Sequence, residues 1–96
     1  MKYIYTAVLI PEESGSRFFA RVPDLPGCIT TGKDLADTID MITDAASIWL
    51  VSAEEDHPED ITPPTQQCDI EHPDNALLTL IQIDTLAYRA EINANA

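Results

Sequence analysis

Residues 23–32 restrict the possible folds of this chain more than any other segment. The segment reads PDLPGCITTG and holds two of the seven prolines and two of the three glycines. A proline fixes its own φ, removes a backbone donor and pushes the residue before it into an extended conformation. The segment therefore predicts a sharp, rigid corner, with a strand before it and a short strand and a long helix after it.

The helix is predicted from Asp34 to Ala53. Asp34 is a typical N-cap, and Asp37 stands three residues later, where an acidic capping-box residue belongs. Beyond the cap, apolar residues recur with helical spacing, and the opposite face is acidic. The apolar stripe contains Leu35, Ile39, Ile42, Ala46, Trp49, Leu50 and Ala53. The acidic face contains Asp37, Asp40 and Asp44.

Four segments are predicted to be strands. Three of them are rich in β-branched and aromatic residues, and the short one, 28–31, follows the proline turn. They occupy residues 2–10, 16–22, 28–31 and 76–84. Residues 11–15 are expected to form a hairpin connection, and residues 92–96 a frayed end. Asp84 and Thr85 can cap a short final helix. The order β-β-β-α-β(-α) indicates an α+β fold, with one long helix on one face of a mainly antiparallel sheet.

The charge of the chain is strongly unbalanced. There are 17 Asp and Glu against 5 Lys and Arg, so the net charge is −12. Such a chain repels nucleic acid phosphates, and its charge is explained either by attraction of a basic partner or simply by the solubility of a small domain. The length of 96 residues predicts a single domain, 1–96, in which residues 54–75 form an acidic, proline-rich loop. The sequence lacks a signal-peptide pattern and a membrane-length apolar run, which predicts a cytoplasmic protein with reduced cysteines.

Candidate catalytic groups are few, and each has a simpler interpretation. Asp24, Asp37, Asp40 and Asp44 could clamp magnesium for phosphodiester cleavage, but three of them form the solvated face of an ordinary amphipathic helix. No glycine loop has phosphate-binding spacing, and two cysteines make neither a zinc site nor a disulfide scaffold. We therefore predict no enzyme activity, no catalytic residue, no metal and no cofactor.

Aromatic side chains on the predicted sheet leave RNA binding as an alternative. Tyr3, Tyr5 and Phe19 could stack on bases, as aromatic residues do in some RNA-binding sheets. Such sheets need basic surroundings, and this chain offers only Lys2, Arg17 and Arg21 nearby. A plain protein-interaction module is a further alternative.

The corner and its surroundings resemble the HicB-like antitoxin family. The similar segments are Tyr5-Thr6-Ala7-Val8, the hexapeptide from Pro23 to Cys28, Thr30-Thr31-Gly32, the helix from Leu35 to Leu50, and Asp84-Thr85-Leu86-Ala87-Tyr88. Together they span essentially the whole chain. The motif residues are Pro23, Asp24, Leu25, Pro26, Gly27, Cys28 and Gly32.

The resemblance implies a truncated, catalytically inactive RNase H-like fold. It implies an antitoxin that binds a small, basic mRNA interferase, the HicA-type toxin, and forms homodimers or homotetramers. Most such antitoxins continue into a domain that binds DNA. This sequence stops at Ala96, where that domain is expected to start, so we expect no DNA binding by these residues.

The acidic surface is the expected binding site for the toxin, whose RNA site it would occlude. The candidate partner-binding residues are Asp37, Asp40, Asp44, Glu54, Glu55 and Asp56. Residues 23–27 are expected to shape the fold rather than to contact the partner.

Overall fold

The computed structural model describes residues 1–13 and 15–94, with the side chains of all of these except 93 and 94. The described residues form four strands and two α-helices. The strands are β1 (Lys2–Pro11), β2 (Phe18–Arg21), β3 (Ile29–Gly32) and β4 (Leu77–Asp84), and the helices are α1 (Leu35–Asp56) and α2 (Thr85–Ala94). Single 3-10 turns lie at Pro58–Asp60 and Gln67–Asp69.

The strands form one antiparallel sheet in the order β3-β2-β1-β4. α1 packs on one face of this sheet, so the predicted α+β fold and its element order are confirmed. β1 is central because both of its faces are largely apolar, as a strand with neighbours on both sides requires. Its pairing with β4 runs without a bulge from Lys2 opposite Asp84 to Leu9 opposite Leu77.

The core lies between α1 and the sheet face that carries alternate residues of β1. From the sheet it takes Tyr5, Ala7, Leu9, Ala20, Ile81 and Ile83, and from α1 it takes Ile42, Ala46 and Leu50, all of which are buried. These helix positions belong to the predicted apolar stripe. At the start of the helix the two layers approach closely, and a Cβ on Gly32 would lie only 2.6 Å from the Cα of Thr38. Only glycine fits β3 against α1 at this point.

The predicted corner consists of two tight turns in succession. Leu25 N donates to Val22 O, and Cys28 N donates to Leu25 O, both at 3.0 Å. Gly27 adopts a φ of 81°, a value that glycine reaches without steric cost. The Trp49 indole of α1 donates to Pro26 O at 2.9 Å, which ties the corner to the helix.

The connection from α1 to β4 crosses the sheet face that lies away from α1. Arg21 lies opposite Val8 on that face, and its guanidinium donates to Glu71 O at 3.2 Å. Ile70, next to Glu71, is buried although it lies in a loop, and Val8 is fully buried as well. The length of this connection is explained by the path that it takes across the sheet.

The predicted end of the long helix at Ala53 is wrong. α1 continues to Asp56, so Glu54, Glu55 and Asp56 form its last turn and do not belong to the loop assigned to 54–75. The reason is that glutamate is a good helix former, and the first residue that stops a helix is Pro58, which disfavours helical backbone at His57.

The other boundaries shift by a few residues. β2 is shorter than the predicted 16–22, and α2 reaches Ala94, so residues 92–94 are helical and not frayed. Ser14 of the predicted hairpin connection and Asn95 and Ala96 of the predicted frayed end lie outside the described residues. Neither described α-helix is long and apolar enough to cross a membrane.

Candidate partner-binding surface

The first acidic residue of the candidate site, Asp37, forms hydrogen bonds at the start of α1. Its backbone N–H donates to the Asp34 carboxylate at 2.8 Å, and its own carboxylate accepts from Lys33 N at 3.0 Å. This is close to a capping box, in which an N-cap and the third helical residue bond reciprocally. Asp37 is accordingly half-buried, and it helps to begin the helix that presents the other acids.

Asp40 and Asp44 line a groove of about 530 Å³ between α1, the end of β4 and α2. The groove also receives Asp84 from β4 and Tyr88 and Glu91 from α2. We call this feature the acidic groove and define it by Asp40, Asp44, Asp84, Tyr88 and Glu91. Its other lining residues are Thr43, Ser47, Gln82, Ile83 and Ala87.

The pKa of Tyr88 reflects the electrostatic environment of the acidic groove. Burial raises the pKa of Tyr88, and the neighbouring Asp44 and Glu91 raise it further. Both effects have the same sign because an additional negative charge is unfavourable in a partly buried site that already holds carboxylates. The groove therefore suits a lysine or arginine side chain and repels a phosphate.

Asp84 combines two functions in this region. Its carboxylate accepts from Ala87 N at 3.1 Å and so caps the start of α2, as the Asp84-Thr85 pair predicted. The cap fixes the direction in which α2 leaves the sheet. That direction brings Tyr88 and Glu91, which lie one and two turns along α2, to the same groove as Asp40 and Asp44.

Glu54 lies in a different environment, at the other end of α1. Its carboxylate accepts from the Tyr3 hydroxyl at 2.7 Å, the Thr85 hydroxyl at 3.0 Å and the Arg89 guanidinium at 3.1 Å. The N-terminal amine of Met1 donates to the same Thr85 hydroxyl at 3.1 Å. We call this the Glu54 cluster; it joins the chain start, the end of α1 and the start of α2.

The Glu54 cluster also sets the ionisation of its members. Burial opposes ionisation of Glu54, but hydrogen bonds from Tyr3, Arg89 and Thr85, together with the N-terminal amine, outweigh it and lower the pKa of the carboxyl group. Burial and the bond to Glu54 raise the pKa of Tyr3 to about 12. The charge of Glu54 is therefore balanced inside the molecule.

The structure thus divides the predicted partner-binding residues into two groups. Asp40 and Asp44 meet in the acidic groove, with Asp37 one turn earlier on the same helix. Glu54 belongs to its cluster, Glu55 pairs with Arg89, and Asp56 is exposed at the helix end. A rise of 1.5 Å per residue puts Glu54 about 21 Å from Asp40 along the helix axis.

The motif residues lie partly inside the fold: Gly32 is buried, whereas Pro23, Pro26 and Gly27 are exposed. Leu25 and Cys28 are buried, and burial raises the pKa of the Cys28 thiol to about 11. The Asp24 carboxylate accepts from the backbone N–H of Thr65 at 2.7 Å and from its hydroxyl at 2.6 Å. Asp24 therefore holds the connection between α1 and β4 against the corner, away from the acidic groove.

The aromatic residues considered for RNA stacking do not form one exposed surface. Tyr3 and Tyr5 stack with their ring centroids 6.1 Å apart, but they lie beneath α1, and only 1% of Tyr5 is exposed. Phe19 lies opposite Thr31 and Ile10, on the other face of the sheet.

Among the described residues, no three metal-ligating side chains converge closely enough to hold an ion.

Comparisons with known proteins agree with the fold. A family model described as HicB_like antitoxin of bacterial toxin-antitoxin system matches residues 5–94. A chain of a toxin-antitoxin complex from Streptococcus pneumoniae superposes with a TM-score of 0.76 at 16% identity, covering 92% of this chain and 73% of that one. A chain of a HicA3 and HicB3 toxin-antitoxin complex gives a TM-score of 0.61 at 22% identity, covering 84% of this chain and 98% of that one.

No protein with a curated description matches this sequence. The family match nevertheless spans almost the whole chain and includes the corner, α1, β4 and all of α2. The resemblance read from the sequence is confirmed by it. This chain belongs to the family of HicB-like antitoxins of bacterial toxin-antitoxin systems.

Proposed function

We propose that this antitoxin neutralises a small, basic mRNA interferase of the HicA type by covering the RNA-binding surface of that toxin. The observation that carries the proposal is the acidic groove, where four carboxylates from three elements surround one partly buried tyrosine. A protein that binds RNA needs basic side chains on its surface, and these are the groups that the groove attracts.

The proposed inhibition is steric and electrostatic, without a chemical step by this chain. Lysine and arginine side chains that would hold RNA phosphates are paired with Asp40 and Asp44, and the body of α1 excludes the RNA. Asp37 extends this contact toward the helix start. Glu55 and Asp56 offer a second, weaker contact, because Glu54 and part of Glu55 are already paired with Arg89.

Co-expression with the small open reading frame next to this gene tests the proposal. The informative variant is Asp40→Lys/Asp44→Lys, and its matched control is Glu12→Lys/Glu13→Lys on the exposed β1–β2 connection. Both variants change the charge equally, and all four side chains are exposed, so both are expected to fold. The wild type and the control should rescue growth and co-purify with the toxin, whereas the groove variant should do neither.

Two results would contradict this proposal. Failure of the wild type to rescue growth or to co-purify would remove the antitoxin function. Equal rescue by the groove variant and the control would remove the acidic groove as the contact surface. Circular dichroism of each variant establishes that a loss of binding is not a loss of folding.

Finer features of the proposal follow from the family. We expect the domain to act in the cytoplasm, as a homodimer or homotetramer with a truncated RNase H-like fold, and residues 1–96 not to bind DNA. Sedimentation equilibrium tests the oligomeric state, and a gel shift on the promoter of its own gene tests the absence of DNA binding. RNA binding through the sheet is the alternative function, and filter binding at low salt with no affinity tighter than about 0.1 mM would remove it.

A further inference from the structure

The outer edge of β4 is open along its length. β4 is the last strand of the sheet, and no other strand in the described part of the chain lies beside it. Thr85 N donates to Met1 O at 2.9 Å, which shows that odd-numbered residues of this regular antiparallel pair turn their backbone groups toward β1. The N–H and C=O groups of Leu78, Leu80 and Gln82 therefore point outward, away from the sheet.

This edge lacks the features that usually prevent strands from pairing. Natural edge strands are kept short or carry proline, lysine or a bulge. β4 has eight residues, no proline, no lysine and no bulge, and its only charged residue is Asp84 at the end. The opposite edge, β3, is protected because it has only four residues and ends at Gly32.

The side chains along the β4 edge are apolar on the face away from α1. Leu80 is 62% exposed, and Ile4 on the adjacent strand is 51% exposed. Leu78, two residues before Leu80, is half-buried on the same face. On the other face the edge borders the acidic groove, because Ile83, whose side chain lies on the α1 side of the sheet, belongs to its lining.

The negative charge of the chain indicates which kind of segment can pair with this edge. A second copy of β4 would bring two acidic grooves together on chains of net charge −12, which is unfavourable. An added strand projects successive side chains to opposite faces. An occupant with basic residues at alternate positions would place these toward Asp40 and Asp44, and its intervening apolar residues against Leu78 and Leu80.

We propose that the edge of β4 binds an extended basic segment of the partner, which adds a fifth strand to the sheet and directs alternate lysine or arginine side chains into the acidic groove. Backbone hydrogen bonds would provide affinity and the alternating side chains would provide specificity, as in other cases of strand addition. This inference deepens the proposed function, since the segment would belong to the same basic toxin.

The test uses the full chain and a capped eight-residue peptide that alternates lysine with valine. The readout is amide hydrogen exchange measured by NMR. At saturating peptide, exchange at Leu78, Leu80 and Gln82 should slow by about tenfold or more, while exchange at the odd-numbered residues of β4, already bonded to β1, should change little. A peptide of the same composition with its four lysines in one block should protect these amides much less.

A pair of variants tests the backbone contribution. Leu80→Pro removes an outward N–H without breaking a bond to β1, whereas Leu80→Ala keeps that N–H and removes only the side chain. We expect Leu80→Pro to weaken peptide binding about tenfold or more and Leu80→Ala to weaken it only a few-fold. Should Leu80→Pro fail to fold, the wild type with a peptide N-methylated at alternate residues provides the same comparison.

Three outcomes would overturn the inference. One is absence of peptide binding. Another is binding that shifts signals of the acidic groove but leaves the three amides unprotected, which indicates charge attraction alone. The third is protection of these amides without peptide that increases with protein concentration, which assigns the edge to a second copy. In each case growth rescue by the wild-type antitoxin is unaffected, so failure here is distinguishable from failure of the proposed function.

Discussion

Single side chains decide how the two ends of this chain are held together, and Glu54 has the most partners. It accepts hydrogen bonds from residues of β1 and α2, which are distant in sequence from α1. Hydrogen bonds to an ionised acceptor are stronger than those between neutral groups. Removing this acceptor leaves the Tyr3 and Thr85 hydroxyls and the Arg89 guanidinium without their common partner.

Glu54→Gln should lower the free energy of unfolding by about 1.5–3 kcal/mol at pH 7, the usual contribution of a hydrogen bond to a charged group. Because the folded-state pKa of Glu54 is lowered, its contribution is complete above the ordinary carboxyl pKa of 4.5 and is lost as pH falls through the lowered value. The difference between wild type and variant should therefore shrink in acid. Urea unfolding across pH 2.5–7 measures it.

Glu55→Gln is the matched control for this measurement. Glu55 also pairs with Arg89, but its side chain is 57% exposed and it lies outside the hydrogen-bonded cluster. Exposed ion pairs contribute at most about 1 kcal/mol. If the two variants lost the same stability with the same pH dependence, the Glu54 cluster would not have the role assigned to it.

Among the secondary-structure elements, the end of β3 and the first turn of α1 approach each other closely. Asp34 caps the helix, and the Thr38 hydroxyl donates to Asp34 O at 2.6 Å. Gly32 lies directly against Thr38, so the strand, cap and helix are positioned by one contact. The same contact sets the direction in which α1 carries Asp40 and Asp44 across the sheet.

Gly32→Ala should destabilise the domain by about 2–3 kcal/mol, because the added methyl would overlap the backbone of Thr38 and backbone cannot move as a flexible side chain can. Thr31→Ala, at the exposed neighbouring position, is expected to cost less than about 1 kcal/mol. Chemical denaturation of both variants makes the comparison. Equal midpoints would show that the close approach of β3 and α1 is not energetically important.

The sequence predicted these elements better than it predicted the acidic groove. Prolines, the Asp34 cap and apolar spacing act locally, so the corner, α1 and the four strands could be recognised without knowing the fold. Three of the five residues that define the groove were not predicted, because Asp84, Tyr88 and Glu91 reach Asp40 only through the strand order and the packing of α2. The cap at Asp84 was the only local signal, and it predicted a helix and not a site.

The Glu54 cluster was not predicted either, because it too depends on how the elements pack. Three consecutive acidic residues before a proline-rich segment indicate a solvated acidic run, and the sequence contains nothing that distinguishes Glu54 from Asp56. The distinction arises because the helix is longer than predicted, and its last turn faces Tyr3 and Arg89. Which acid is available to a partner is thus a property of the packed molecule.

For the whole molecule, the distribution of charge matters as much as its sum. The described chain is a slab of 38 × 31 × 17 Å, so at 10 mM salt, where the screening length is about 30 Å, most of its charges act on one another. Arg89 is one of only five basic residues, and it is occupied by Glu54 and Glu55. The acidic groove therefore lies in a field that the rest of the chain reinforces, which favours rapid capture of a basic partner.

This field predicts how binding depends on salt. The association rate with a catalytically inactive form of the neighbouring toxin should fall about 10- to 100-fold between 10 and 300 mM NaCl, while the dissociation rate changes much less. Surface plasmon resonance gives both rates.

Two double variants separate steering from holding. The groove variant is Asp40→Asn/Asp44→Asn, and its control is Glu12→Gln/Glu13→Gln. Each makes the net charge less negative by two units, so both should slow association by a similar factor. Only the groove variant should also accelerate dissociation, because in the proposed complex its residues, and not Glu12 and Glu13, contact the toxin. If both variants dissociated at the wild-type rate, the charge of this antitoxin would steer its partner without the acidic groove holding it.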